Sequence, residues 1–303
     1  MPCFAFARYP SDPNNVRRVV LAVSFLSAVG CTGVFARPPG VPLSLGDHGT
    51  GKLLTGTTLP PDGLGYSVPA AWRGRSALYT TGQIQLALTR SFANVDRLFP
   101  GSLAPLGDIA RKGGGPAAGH GSHRSGRDVD IFFYALDAGG LPLPHFEAML
   151  KFGATGKAVA WSPAFGRKPP KLPIPAATFD VPRTWALVRA LLTDPAAQVQ
   201  WIFIQRDLAG LVVNQAKKEG EQPDLVAQAE ELLRQPGDSA PHDDHLHVRF
   251  YCDPGQRSLG CVDRGPQRWL KKYWKYLPER QGATPPVDLI VVVDALVVSS
   301  APN

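Results

Sequence analysis

The chain has 303 residues, of which 44% are hydrophobic, and this is enough for one substantial domain with a full core. Its 30 prolines and 31 glycines predict a body rich in loops, and the chain shows neither an internal repeat nor a long low-complexity run. The formal net charge of +7 suits a polyanionic partner rich in carboxylates. Lys and Arg are spread along the whole length, so we expect no nucleic-acid partner.

Residues 1–36 have the pattern of an export signal. An arginine pair precedes an apolar run at residues 19–29, and the run ends at small residues. It is about eleven residues long, whereas a permanent membrane anchor needs about 20. Cleavage after Ala36 fits the small residues there, and an imperfect lipoprotein box ends at Cys31, so both forms of processing stay open. We expect a periplasmic protein that meets the membrane only through this signal or a lipid on Cys31.

The segment that follows, residues 37–75, is rich in turn residues, and we expect it to wrap the core. Its glycines at 46–51 lack the spacing and the preceding strand of a phosphate loop, so we expect no nucleotide site. Apolar residues at helical spacing predict a helix within residues 77–99. Residues 103–109 then predict a strand that leads into a glycine-rich loop.

This loop carries the first of two histidine-rich motifs, GHGSHRSGRDVD at residues 119–130. Its glycines and serines allow a tight turn that brings the side chains of His123 and Asp130 to one point. The β-branched and aromatic residues at 129–133 predict a strand, so Asp130 would lie on a rigid strand and His123 in the loop before it. We interpret Asp128 as a loop residue and not as a ligand.

The region between the motifs begins with a proline-rich segment. The residues after it predict packed helices and one strand. We predict no second metal site in residues 135–175. We expect Trp185 and Trp201 to lie in the core. The predicted elements are a helix at 182–192, a strand at 199–205, and amphipathic helices at 211–219 and 225–234.

The second motif, HDDHLHVRF at residues 242–250, has a period of two. On a strand, His245 and His247 project from one face, while Leu246 and Val248 face the core on the other side. The motif therefore predicts a strand with two imidazoles on its polar face.

Together the motifs predict a catalytic zinc site. Five of the seven histidines lie in them, and His48 and His145 are isolated. Catalytic Zn²⁺ usually has three protein ligands, and imidazole and carboxylate groups are suitable ones. Taken singly, a His-x-His pair is often structural, and a glycine loop can bind an anion through its amides. Taken together, these explanations would require several polar groups to cluster for no purpose.

Cys252 and Cys261 flank a short turn-rich loop just after the second motif. An even pair around a short loop in an exported chain indicates a disulfide in an oxidising compartment, worth roughly 2–3 kcal/mol. Zinc binding by these thiols is the alternative. We assign residues 37–280 to one domain and residues 281–303 to a linker and a short apolar tail.

His-x6-Asp followed far downstream by His-x-His resembles the zinc peptidases that include lysostaphin-type endopeptidases, D-Ala-D-Ala metallopeptidases and murein endopeptidases. The fuller motifs are similar to the penicillin-insensitive murein endopeptidases, and the resemblance covers roughly residues 40–275. It implies hydrolysis of the D-alanyl-diaminopimelyl cross-links of peptidoglycan without a serine acyl-enzyme, so that β-lactams would not trap the enzyme. Members of this branch also have a similar cysteine pair directly after the His-x-His strand.

In this interpretation one Zn²⁺ is held by His123, Asp130 and His247. His245, next to a ligand but free of the metal, is the expected general base. The remaining polar residues of the motifs are helpers: His242 assists catalysis, His120 assists or is a further ligand, and Asp243 and Asp244 orient imidazoles.

Two other functions stay open. One is a zinc D,D- or L,D-carboxypeptidase that trims stem peptides, which would need a cationic pocket for a free carboxylate. The other is an inactive lipoprotein that binds metal or cell wall. For the fold we expect one α+β domain, in which a central antiparallel sheet carries the zinc ligands and is surrounded by helices and long loops.

Overall fold

The structure is a computed structural model that describes residues 40–143, 149–160, 175–195 and 198–270. The predicted export signal at 1–36, the lipid site at Cys31 and the tail at 281–303 lie outside these ranges and stay predictions. Within the described part of the chain, no helix is both long enough and apolar enough to cross a membrane.

The described elements alternate short strands with helices of up to 17 residues. The N-terminal elements are β1 (Leu43–Leu45), β2 (Lys52–Leu54), β3 (Thr57–Thr58), β4 (Asp62–Gly63), β5 (Tyr66–Ser67), α1 (Ala70–Arg73), β6 (Tyr79–Thr80), α2 (Gly82–Leu98), β7 (Ala104–Pro105), β8 (Asp128–Phe132) and β9 (Ala135–Leu136). The C-terminal elements are β10 (Thr178–Phe179), α3 (Val181–Thr193), β11 (Val199–Phe203), α4 (Arg206–Lys218), α5 (Pro223–Leu232), β12 (Leu233–Arg234), β13 (His245–Phe250) and α6 (Pro254–Arg257).

The central sheet has four strands in the order β12-β11-β13-β8. β13 pairs antiparallel with both β11 and β8, but the edge strand β12 runs parallel to β11. The prediction of an α+β fold is confirmed, and the strands that carry the two motifs are antiparallel as expected, while the edge strand β12 adds one parallel pairing. A parallel neighbour requires a crossover connection, and here α4 and α5 supply it.

The two strands that carry the motifs follow the predicted alternation. Leu246 and Val248 are buried in the core, whereas His245 and His247 lie on the opposite face of β13. In the register of β13 with β8, His247 is directly opposite Asp130. Neighbouring strands therefore bring residues from two distant motifs into contact.

The helices form where the apolar spacing predicts them, with shifted ends. α2 begins at Gly82 rather than near residue 77, because Tyr79–Thr80 pairs with β3. α4 begins at Arg206, five residues before the predicted start, since the Gln205 side chain accepts a hydrogen bond from Leu208 N at 3.0 Å. Gly220, with a φ of 71°, follows the end of α4 as predicted.

The predicted helix at 225–234 ends early, at Leu232. The next two residues leave the helix to pair with β11, so Glu230 pairs with Lys217 and not with Arg234. The Arg234 guanidinium instead lies over the ring of Trp201, 4.8 Å from its centroid. Trp201 and the fully buried Trp185 both pack in the core, as predicted.

The segment before the first motif wraps the sheet in short hairpins. The predicted strand at 103–109 is reduced to β7, which pairs in parallel with β5. Its continuation still follows β8: Gly107 N donates to Asp130 O at 2.8 Å, and Asp130 N donates to Asp108 O at 2.9 Å. Gly107 is needed there, since a Cβ would lie 2.8 Å from the ring of Phe132.

The predicted disulfide between Cys252 and Cys261 is present, and both cysteines are buried. The loop that it closes pairs with the turn after β1. Gly46 N donates to Gly260 O at 2.8 Å, and Val262 N donates to Gly46 O at 3.0 Å. The disulfide therefore fastens the end of β13 to the N-terminal part of the described chain.

Candidate metal centre

Six side chains from the two motifs meet at one edge of the central sheet. They come from strands β8 and β13, from the glycine-rich loop before β8, and from the turn before β13. They form two groups, His120 with His123 and Asp130, and His242 with His245 and His247, which adjoin where the ring of His123 lies 4.7 Å from that of His247. All of the predicted imidazoles are thus brought together.

The Asp130 carboxylate lies at the middle of this group. Its Oδ1 atom is 3.2 Å from His123 Nε2, 3.4 Å from His247 Nδ1 and 3.5 Å from His245 Nε2. Its Oδ2 atom faces His120 Nδ1 at 3.8 Å. One carboxylate is therefore shared by four imidazoles.

The outer hydrogen bonds fix which imidazole nitrogen faces the centre. His123 Nδ1 donates to the carbonyl oxygen of Ile109 at 2.7 Å, so its Nε2 is the nitrogen that faces Asp130 and the one that a metal ion would bind. His247 Nε2 lies 2.9 Å from Asp128 Oδ1, so its Nδ1 presents a lone pair inward. Such hydrogen bonds orient metal-binding histidines and raise their basicity.

His245 is held in a different way. Its Nδ1 is 2.6 Å from Asp244 Oδ1, and its Nε2 faces the centre. Asp244 is buried, and its other oxygen is 3.5 Å from Lys151 Nζ. The side chain of His245 is 14% exposed, against 1% for His123, so His245 is the more accessible of the two to a substrate.

The two remaining imidazoles flank the centre. His120 Nε2 is 3.0 Å from Asp108 Oδ2, and its ring lies 4.3 Å from the ring of His123. His242 is fixed by its backbone, whose N–H donates to Gln235 Oε1 at 2.9 Å. Its ring lies 5.2 Å from that of His245. Both imidazoles are partly exposed.

Charge and burial together raise the pKa of some residues of this group and lower that of others. Burial opposes protonation of His123, but the adjacent Asp130 carboxylate raises the pKa of His123 to about 9. Burial and the neighbouring imidazoles lower the pKa of His242 to about 4. Burial also works to raise the pKa of Asp130, but the surrounding imidazoles outweigh it and hold the pKa below its usual value. Asp130 is therefore ionised and His242 neutral at pH 7.

The donor set fits a tetrahedral metal ion. His123 Nε2 and Asp130 Oδ1 are both buried and face each other at 3.2 Å, and among the described residues neither atom has a hydrogen bond to any other group. Native structures rarely leave buried polar atoms in this state without an ion or water between them. Tetrahedral Zn²⁺ with ligand distances of about 2.0–2.2 Å separates its ligand atoms by about 3.3–3.5 Å, close to the spacings around Asp130 Oδ1.

The backbone at His123 is held in an unusual conformation. Its φ of 63° lies in the left-handed region, which a residue with a side chain adopts at a cost of the order of 1 kcal/mol. The His123 backbone N–H donates to Asp128 Oδ2 at 3.3 Å, and this hydrogen bond stabilises the turn. This conformation turns the imidazole inward, against Asp130.

A family comparison agrees with this geometry. Residues 44–143 match the family model described as penicillin-insensitive murein endopeptidase. The resemblance to this family is thereby confirmed. The matched segment runs from β1 past β9 and contains the whole first motif, including His123 and Asp130. No curated protein matches the chain. A peptidase of peptidoglycan is a hydrolase that works outside the cytoplasm, and the disulfide suits an oxidising compartment.

The prediction missed two polar residues around the two histidine-rich motifs and misplaced a third. Asp128 lies on β8 and not in the loop, where it accepts hydrogen bonds from His247 and Arg249. Its position two residues before Asp130 is the signal, because it shares a face with Asp130 once the strand begins at residue 128. Asp108 had no local signal, since it reaches His120 from a different segment.

Lys151, the other missed residue, changes the interpretation of one acidic residue. Within the described part of the chain, the Asp243 carboxylate pairs with Lys151 Nζ and not with an imidazole. The backbone of Asp243 also accepts a hydrogen bond from Phe152 N at 2.8 Å. The prediction that Asp243 orients an imidazole therefore does not match the geometry, whereas Asp244 does contact His245.

Replacing Asp128 with asparagine will weaken zinc binding by about 10–100-fold, because the negative charge that supports His247 is lost. The measurement is a competition titration of zinc against a chromophoric chelator. Asp194→Asn is the matched control, since Asp194 is also buried and paired with an arginine, Arg90, but lies outside the centre. Equal zinc affinities for the two variants would show that Asp128 has no influence on the metal.

Proposed function

We propose that this protein is a zinc-dependent endopeptidase that hydrolyses the D-alanyl-diaminopimelyl cross-links between peptidoglycan stem peptides. The observation that carries the proposal is the convergence of two buried atoms, His123 Nε2 and Asp130 Oδ1, which among the described residues have no hydrogen bond outside this group, with His247 Nδ1 turned toward the same point. The family match over the first motif supports the substrate class.

In this proposal His123, Asp130 and His247 hold the zinc ion. Zinc bound there supplies Lewis-acid chemistry for hydrolysis of an amide. The three residues lie on β8, on β13 and in a loop bonded to β8, so the sheet fixes them before metal or substrate arrives. Preorganisation of this kind reduces the cost of assembling the site during reaction.

His245 is the proposed general base. Its Nε2 atom faces the centre and takes a proton from the attacking water, and the same atom returns a proton to the leaving amine. Burial disfavours the imidazolium that forms, but Asp130 and Asp244 outweigh it and raise the pKa of His245. Asp244 therefore has the role of orienting His245 and stabilising its charged form.

His242 and His120 are the proposed helpers. His242 stays neutral, so its N–H can donate to the developing oxyanion or to the leaving amine without carrying a charge into the site. His120 is tied to Asp108 at Nε2, and its Nδ1 faces Asp130 Oδ2 at 3.8 Å. We assign His120 to the support of Asp130 and propose one catalytic zinc ion.

The proposed place of action is the periplasm. The export signal at 1–36, with cleavage after Ala36 or a lipid on Cys31, and the catalytic domain at 37–280 are parts of this proposal. The disulfide between Cys252 and Cys261 supports an oxidising compartment. The net charge of +7 supports a carboxylate-rich polymer as substrate.

The test is digestion of purified cross-linked muropeptides, with analysis of the products by mass. The zinc-loaded protein is expected to convert dimers to monomers, and a chelator is expected to stop the reaction until zinc is restored. His245→Ala is expected to lose activity, whereas His48→Ala, a histidine outside both motifs, is expected to keep it.

Each alternative has its own product pattern. Shortened monomers with intact dimers would replace the proposal with a carboxypeptidase. Unchanged products in the presence of zinc would replace it with a metal-binding or wall-binding protein without activity. Activity that persists in the chelator would refute the metal dependence.

A further inference from the structure

The face of the sheet that carries the imidazoles continues beyond them. On β13, Arg249 follows His247 by two residues and therefore lies on the same face. On β11, the residues opposite them are aromatic: Phe203 is paired with His247, and Trp201 with Arg249. A cation and two aromatic rings thus extend the metal centre along the sheet.

Arg249 is anchored at one edge of its guanidinium group. Its Nε donates to Asp128 Oδ1 at 2.7 Å, and its Cζ lies 5.1 Å from the ring centroid of Phe203. These contacts hold the planar group against the sheet. Two hydrogen bonds, through Asp128, separate it from the imidazole of His247.

The other edge of Arg249 has no partner among the described residues. The only hydrogen bond of its guanidinium with them is the one from Nε, and neither Nη atom is among the buried atoms that lack partners. The side chain is 11% exposed. The Nη edge is therefore accessible from solvent while the rest of the group is fixed.

Two other cations near the centre are engaged by acidic residues. Lys151 pairs with Asp243 and Asp244, and Arg75 pairs with Asp108 at 2.8 Å. Arg249 differs, because an arginine has five donors and can bind a second carboxylate through its Nη edge while Nε holds the first.

We propose that Arg249 binds a carboxylate of the substrate, the one that the diaminopimelyl residue carries next to the scissile amide nitrogen. This inference rests on the proposed function and names the substrate group that the site selects. A fixed guanidinium edge binds a planar carboxylate through two parallel N–H···O bonds. Because the group is held before binding, little side-chain entropy is lost when the substrate arrives.

The same carboxylate chemistry occurs at the free end of a stem peptide. In both substrates the carboxylate belongs to the residue that leaves as an amine. A cross-linked dimer and an uncross-linked pentapeptide monomer therefore distinguish the two sources: loss of dimer indicates the cross-link, and loss of a terminal D-alanine from the monomer indicates the chain end. We expect cleavage of the cross-link.

The experiment measures kcat/KM for two dimers that differ only at this carboxylate, which is free in one and amidated in the other. The native enzyme is expected to prefer the free carboxylate by about 10–100-fold, as is typical of a hydrogen-bonded charged group. Arg249→Gln is expected to cleave both dimers at nearly the same rate, close to the rate of the native enzyme on the amide. Arg249→Lys, which keeps the charge but not the fork, is expected to recover part of the preference.

A purely structural role would give a different result. If Arg249 acted only by holding Asp128, Arg249→Gln would slow both dimers equally and the preference would remain. Arg234→Gln is the matched control, because Arg234 also lies over an aromatic ring of this face but on the edge strand. It is expected to keep the full preference.

Binding gives a second measurement that does not require turnover. In the His245→Ala background, calorimetry with the free and amidated dimers is expected to show the same preference as kcat/KM, and addition of Arg249→Gln is expected to remove it. An equal affinity for both dimers before Arg249 is changed would overturn the inference. A native enzyme that cleaves no dimer at all would instead overturn the proposed function, so the two failures are distinct.

Discussion

Asp130→Asn will reduce cleavage of cross-linked muropeptides by about 10³-fold or more, a loss of roughly 4 kcal/mol of transition-state stabilisation. Asp130 is the residue that the central imidazoles share, and its buried Oδ1 atom has no hydrogen bond to any other group among the described residues. An amide has nearly the same shape as the carboxylate but no charge, so it is a much poorer zinc ligand.

The same variant has a readout that does not depend on activity. A ligand that binds only the folded state raises its thermal stability by mass action, so zinc is expected to raise the melting temperature of the native protein. Asp130→Asn is expected to abolish this increase. Calorimetric scans with and without zinc measure both effects on the same samples, and circular dichroism checks that the variant folds.

Asp243→Asn is the matched control for this prediction. Asp243 lies in the second motif, and its replacement by asparagine is the same chemical change. Its carboxylate, however, pairs with Lys151 outside the imidazole group. It is expected to keep the zinc-dependent increase in melting temperature. If Asp130→Asn behaves like Asp243→Asn, zinc is not bound at Asp130.

Much of the candidate centre could be predicted because β-strands impose a strict period. His245 and His247 had to share a face once their segment was a strand, and Leu246 and Val248 had to face the core. Asp130, on the predicted neighbouring strand, needed only antiparallel pairing to come opposite His247. The residues in direct contact with one another at the centre were therefore all predictable.

The surrounding hydrogen bonds could not be predicted in the same way. Asp108 and Lys151 reach the centre from segments without regular structure, where no period fixes the direction of a side chain. The prediction for Asp128 depended on whether the strand begins at residue 128 or one residue later. In the structure Asp128 pairs with Arg249 of β13, so β8 begins at residue 128. Local sequence does not contain such long-range pairings.

The ends of the helices and strands were mispredicted for a related reason. Leu233–Arg234 continues a helical pattern in the sequence, yet it becomes β12 because β11 offers an unpaired edge. Tertiary pairing here outweighs helical propensity, which differs by less than about 1 kcal/mol between ordinary residues. The helix therefore ends where the sheet begins to compete for its backbone.

Arg127→Met will lower the free energy of unfolding by about 3–5 kcal/mol, the cost typical of breaking a buried ion pair. The Arg127 side chain is 2% exposed, and so is that of its partner Asp263, whose Oδ1 atom accepts from Arg127 Nη1 at 2.9 Å. The same guanidinium donates to Val262 O at 2.9 Å and to Phe250 O at 3.1 Å. Methionine would fill the volume but take the donor away from the two carbonyl oxygens, and Asp263 would keep only Arg257 Nη2 at 2.9 Å and Cys252 N at 2.8 Å.

The effect is expected to exceed that of an ordinary salt bridge because Arg127 connects three parts of the site's support. It directly precedes β8, it bonds to the last residue of β13, and its Nε donates to Ser44 on β1 at 3.1 Å. It also donates to Val262 O, directly after the disulfide-bonded Cys261. Removing it loosens the two ligand-bearing strands and the disulfide loop together.

Denaturant unfolding with the disulfide intact measures the loss, and Arg73→Met is the matched control. Arg73 also forms a forked ion pair, with Asp62, but both side chains are largely exposed, so water and salt already screen the pair. Its removal is expected to cost far less than that of Arg127. Arg127→Lys should fall between the native protein and Arg127→Met, since an ammonium keeps the charge but cannot reach the carbonyls that the fork spans. Equal stabilities for Arg127→Met and Arg73→Met would mean that burial of Arg127 adds nothing to the fold.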